Sequence, residues 1–241
     1  MKILDKMERK FGRFGIPNLM LYLVIGNLLV YIFDIFFALK AGTTFSQYLY
    51  FSPALVMQGQ IWRIITFVFV PPNSSLVFIA FTLYFYYFIG VSLEREWGSF
   101  RFTIYYLTGM VATIIGGFIS YFLPVGGGIS DIMAVLSMST ISATYLNLSL
   151  FFAFATLYPD HKLLLFFFIP IKVKYLAFAD AVIFLYSLIV YPWPVKISII
   201  MAILNYLLFF GPDFIRTLKL KAQVRKNRKN FQQKMDNTWN R

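Results

Sequence analysis

Six runs of apolar residues, each about the length of a bilayer crossing, dominate this chain. A transmembrane helix needs about 20 such residues. The runs are Asn18 to Leu39, Leu76 to Leu93, Phe102 to Phe122, a fourth starting near Ser137 and ending at Tyr158, Tyr175 to Tyr191, and Val195 to Phe210. Backbone in hydrocarbon must satisfy its own hydrogen bonds, so helices and closed barrels alone can cross. Runs of this length, with charge kept to the gaps between them, specify helices. The first follows Lys2, Lys6, Arg9, Lys10 and Arg13; it is too long for a signal-peptide core and no small-residue cleavage site follows it. Composition agrees: 59% of residues are hydrophobic and 13% charged, where a soluble domain is about a quarter charged. The expected fold class is an all-α membrane protein with six transmembrane helices.

Charge then orients the spans. Of 22 Lys and Arg, all but Lys40, Arg63 and Lys196 fall in the N-terminus, the 94–101 turn, the 160–174 loop or the tail. Basic residues mark the cytoplasmic side, so both termini are expected there. The net charge of +12 therefore reads as topology, and no nucleic-acid partner is expected. The chain divides into a six-span membrane domain, 1–215, and a basic cytoplasmic tail, 216–241. Phe231, Met235 and Trp239 give that tail an apolar side that can lie against anionic lipid, although a solvated tail is the simpler reading. With no Cys and the single His161, disulfides, thiolate zinc sites and multi-His metal sites are excluded within one chain, and no cofactor or metal is expected.

Residues 40–75 form the longest external segment. Phe45, Tyr48, Leu49, Tyr50, Phe51, Leu55, Val56 and Trp62 make it too apolar for a solvated loop, so it is expected as a membrane-associated hairpin with its aromatics at headgroup depth. Within it lies Gln60-Ile61-Trp62-Arg63-Ile64-Ile65-Thr66. Between spans two and three lies Gly90-Val91-Ser92-Leu93-Glu94-Arg95-Glu96-Trp97-Gly98-Ser99. Together these resemble the two boxes of the rhomboid superfamily, a Trp-Arg-x-x-Thr motif in the first loop and a Gly-x-x-x-Glu-x-x-Trp-Gly-Ser turn. The span count, orientation and long first loop match that family's six-helix core. On physical grounds Arg63 is expected to give its N–H groups to loop carbonyls and pin the hairpin. Trp62 suits the interface. Glu94 is expected to take hydrogen bonds at the start of span three, in the turn that Trp97 and Gly98 complete.

Rhomboid proteases use a Ser from a Gly-x-Ser-Gly box on span four and a His from span six. This chain has neither. The nucleophile position falls near Thr144, followed by Tyr145, and Asn205 is the most polar residue of span six. An amide is no base at neutral pH. The stretches 147–160 and 166–176 resemble the derlin-like branch of the superfamily, which lacks the catalytic pair. The Phe-x-Gly-x-Gly box by which some derlins recruit an AAA ATPase is absent from the tail. The resemblance implies a pseudoprotease, with no catalytic residue, that binds transmembrane segments of client proteins within the lipid bilayer. The first loop and the lateral opening by spans two and five are the expected route. Asn147 and Asn205 are expected to face each other between spans four and six, as helix glue or as part of a client-receiving cavity. Asp180 is read as a partnered structural acid. An intramembrane protease with an unfamiliar catalytic arrangement and a small transporter are the alternatives. The expected location is a bacterial plasma membrane, with the endoplasmic reticulum second.

Overall fold

A computed structural model describes residues 8–72, 75–122, 143–165, 169–191, 193 and 195–211, with scattered positions between 220 and 227. Its elements in chain order are α1 (Leu19–Ala41), two single-turn helices α2 (Pro53–Met57) and α3 (Arg63–Thr66), α4 (Leu76–Trp97), α5 (Ser99–Phe122), α6 (Thr144–Leu157), strands β1 (Lys162–Leu165) and β2 (Ile169–Lys172), α7 (Val173–Val190) and α8 (Val195–Gly211).

Among the described residues four helices, α1, α4, α5 and α7, are long and apolar enough to cross a bilayer. Six crossings were expected; besides these four, the described residues hold two shorter apolar helices, α6 and α8. At 1.5 Å per residue α6 is about 21 Å long and α8 about 26 Å, both under a core of about 30 Å. The expected start of span four near Ser137 lies outside the described residues, as does almost all of the tail 216–241. One departure from an all-α pattern was not anticipated. The segment after α6 folds back as an antiparallel hairpin with Lys162 opposite Lys172 and Leu165 opposite Ile169.

Local chemistry sets the boundaries. Gly42, with φ 65°, takes the left-handed position that closes α1. Gly98 ends α4 at φ 81° and ψ 156°, a conformation that only glycine adopts readily. Helix α5 is the centre of the bundle, burying Phe102, Tyr105, Tyr106, Gly109, Gly116 and Gly117. Helices α4 and α6 pack on it, α1 packs on α4, and α7 packs on α6. Helix α8 rides on its glycines: a Cβ on Gly116 would come within 2.8 Å of Met201 Cγ. The outward faces stay apolar, with Leu28, Phe36, Phe178 and Ile189 exposed. Such faces require lipid as their solvent.

One end of the bundle gathers the basic segments. Glu8 pairs with Arg101 at 2.7 Å, Asn18 N donates to Glu94, Tyr158 Oη donates to Glu96, and Trp97 packs on Phe210. The N-terminal segment, the α4–α5 turn, the hairpin and the end of α8 therefore share that end. The 40–75 loop covers the other.

Candidate functional site

Three of the polar constellations among the described residues bear on function. The first is the loop. Arg63 is only 3% exposed. Its Nη1 donates to the carbonyls of Gln47 and Tyr50, both at 2.9 Å, and its Nε donates to Gln60 Oε1 at 2.7 Å. Trp62 Nε1 donates to the Tyr48 carbonyl at 3.2 Å, and Thr66 Oγ1 to that of Leu49 at 3.0 Å. Four consecutive carbonyls, 47 to 50, are thus received by the Trp-Arg-x-x-Thr motif. The spacing follows from α3: one helical turn separates Trp62 and Arg63 from Thr66, and the strip of backbone runs across that face. Ser46 N donates to Asp34 Oδ1 at 2.7 Å, which ties the strip to α1. Phe51 carries the loop into the core against Phe67 and Phe118. Burial of the guanidinium pushes the Arg63 pKa down from its ordinary value.

The second is the α4–α5 turn. Glu94 Oε1 accepts from Ser99 Oγ at 2.6 Å and from Asn18 N at 2.8 Å. It ties the start of α1 as well as the start of α5; sequence reading foresaw only the latter. Trp97 packs on Tyr105 and Phe210, and Gly98 makes the reversal.

The third is intramembrane. Asn205 is 1% exposed, and α5 uses both ends of its amide. Thr108 Oγ1 donates to its Oδ1 at 2.9 Å, and its Nδ2 donates to the Tyr105 carbonyl at 3.3 Å. Gly109 makes room for it, since a Cβ there would lie 2.9 Å from that nitrogen. The expected Asn147–Asn205 contact is therefore not made. Asn205 is glue between α8 and α5, because the glycine notch on α5 lets the short amide reach backbone directly. Thr144 is exposed at the first position of α6. His161 stacks near Phe88 and Phe154 by the hairpin, far along α6 from Thr144.

Asn147 instead faces a cavity of about 500 Å³ between α4, α6 and α7. Phe81, Tyr84, Phe85 and Phe88 wall it from α4, Leu148 and Phe151 from α6, and Leu176, Asp180 and Ile183 from α7, with His161 and Lys162 at the hairpin end. Asn147 is 7% exposed and bonds Tyr86. Its Oδ1 is buried with no donor among the described residues, and so is Asp180 Oδ2. Asp180 was expected to be partnered; it lines this cavity with one oxygen unmatched. Besides Asn147 itself, the sequence held a further signal for the site, the aromatic stripe at 81, 84, 85 and 88, which is one face of a helix. Such a stripe reads equally as core, and Asp180 shares no spacing pattern with it. Among the described residues no cluster of three or more acidic, His or Cys side chains is arranged to hold a metal ion.

No curated protein and no solved structure matches the chain. A family profile does match, over residues 19–215, which covers all the helices from α1 to α8. Its description is eukaryotic, which does not favour the expected bacterial plasma membrane. The chain belongs to the eukaryotic integral membrane protein family DUF1751.

Proposed function

We propose that this multi-pass membrane protein is a rhomboid-like pseudoprotease, and that it binds transmembrane segments of client proteins without cutting them. The observation that carries the proposal is the cavity lined by α4, α6 and α7, which sets Asn147 and Asp180 among aromatic side chains. A polar side chain within a span is a functional candidate by default, since its burial in lipid is unfavourable. Support for the rhomboid-like reading is the use of Trp62, Arg63 and Thr66 on consecutive loop carbonyls, together with the Glu94–Ser99 bond beside Gly98. The reading as a non-enzyme rests on chemistry. Asn205 has both ends of its amide engaged by α5, and His161 sits at the end of α6 away from Thr144. The family is eukaryotic, and the endoplasmic reticulum is the membrane we take as first candidate.

The test is site-specific photo-crosslinking from Tyr84 and Ile183 in the full-length protein in its native membrane, with the captured peptides sequenced. Adducts mapping inside apolar segments of about 20 residues in partner proteins are expected. Adducts confined to lipid, or to the soluble parts of partners, would overturn the proposal.

A further inference from the structure

We infer that the cavity between α4, α6 and α7 selects transmembrane segments that carry a basic side chain inside the bilayer. The inference rests on the client-binding reading above and adds the chemistry of the client. Two polar atoms on the cavity wall have no donor among the described residues: Asn147 Oδ1 and Asp180 Oδ2. Both are acceptors. A buried acceptor left unmatched is strongly unfavourable, more so when it belongs to an acid. What completes this wall is therefore a donor, and a charged one matches an acidic side chain best.

The remaining lining fits the stem of such a side chain. Aromatic rings from α4 and α6 line the same cavity as Asp180. The methylene stem of Lys or Arg packs well on such surface, and its cationic head is attracted to ring faces. A volume of about 500 Å³ is large for one side chain and far too small for a whole helix about 10 Å across. The client helix then lies outside, along α4 and α7, and projects a side chain inward. Lys162 and His161 stand at the hairpin end of the cavity, both exposed. Lys162 repels a cation there, which favours the deeper Asp180 position.

Depth follows from the helix. Asp180 lies seven residues into α7 from Val173, about 10 Å along its axis. A basic residue at that depth in a client is too far inside for a chain end in water to satisfy easily. It is the residue of an unassembled span that most needs an acceptor.

The test uses the full-length protein in lipid nanodiscs with a photo-reactive residue at Ile183. The probes are synthetic Leu/Ala helices that span the bilayer with one Lys, placed about 10 Å from the hairpin-side interface, at the opposite interface, or replaced by norleucine. The Lys probe at Asp180 depth is expected to crosslink about tenfold more than norleucine, the scale of one charged hydrogen bond. The probe at the opposite interface should behave like norleucine. Asp180→Asn should reduce the preference, and Asp180→Leu combined with Asn147→Leu should abolish it. Asp180→Lys should transfer the preference to a Glu probe, which distinguishes lost recognition from lost folding. Equal crosslinking of Lys and norleucine probes would overturn the inference while leaving client binding intact. Absence of any helix crosslink, with aminophospholipid adducts at Ile183 instead, would overturn both.

Discussion

At the scale of single residues, Arg63 has the largest effect on the loop. Three hydrogen bonds converge on a guanidinium that is almost fully buried, and two of them hold carbonyls from a different part of the loop. Arg63→Ala removes the donors and leaves Gln47 and Tyr50 carbonyls facing an empty space. The expected loss is about 1.5–3 kcal/mol, the range for hydrogen bonds to charged groups. It should appear as proteolytic cleavage within residues 40–75 while the spans stay inserted. Arg63→Lys is expected to rescue little, because a single ammonium cannot match two carbonyls and Gln60 with the geometry of a planar fork. Gly98 is the second such residue. At φ 81° and ψ 156°, any side chain is strained, so Gly98→Ala should lower stability in detergent by about 1–3 kcal/mol, read as a shift in thermal unfolding. Both residues were legible beforehand, because a lone external Arg in an apolar loop and a Gly between two long helices each have few physical uses. Asn147 was a candidate for a client-receiving cavity beforehand, but that it shares one with Asp180 was not legible. Their role depends on which way helices α6 and α7 face, and runs that are apolar on all sides carry no phase to reveal it.

Elements are where sequence reading both succeeded and stopped. The four full-length helices followed from run length, because hydrophobic extent is a one-dimensional property. Helix pairing did not follow, since any polar group on one span can in principle bond any other. Asn205 shows this: the Gly109 notch, seen only in three dimensions, decides for α5 over α6. Asn205→Leu is expected to weaken α8 docking by about 0.6–1.7 kcal/mol, the measured scale for such bonds within a bilayer. A double-mutant cycle with Thr108→Val should show most of that loss as coupling between the two sites. The hairpin was missed for another reason. Pro170 and the flanking lysines rule out a helix, yet nothing local requires a strand pair over a loop. Asp160 ties it down, accepting from Lys174 at 2.9 Å and Lys172 at 3.3 Å. These bonds hold the Asp160 carboxyl below its ordinary value. A folded-state pKa below the unfolded one stabilises only while the group is ionised. Protection of the 162–172 amides from exchange should therefore be constant above the ordinary carboxylate pKa of about 3.9, then fall as pH drops through the depressed value. Asp160→Asn should remove that dependence.

For the whole molecule, charge distribution and helix packing make one prediction together. All but three of the 22 basic residues belong to segments expected on the cytoplasmic side, and the described ones gather at one end of the bundle. Reporter fusions should place Gln60 and Arg241 on opposite sides of the membrane. The remaining prediction concerns chemistry. Peptide hydrolysis by a hydroxyl needs a base within hydrogen-bond reach and donors for the oxyanion. Thr144 is exposed at the first turn of α6, while His161 lies past the other end of that helix among Phe88 and Phe154. Asn205 is an amide, which takes no proton at neutral pH, and it is already engaged by Thr108 and Tyr105. The expectation is no cleavage of a generic transmembrane substrate by purified protein in liposomes. The triple variant Thr144→Ser, Tyr145→Gly and Asn205→His is expected to stay silent as well, because an imidazole at 205 meets the Gly109 notch sized for an amide. Cleavage by the wild-type chain that survives His161→Ala and disappears with Thr144→Val would refute this, and would mean that a base other than His161 serves Thr144.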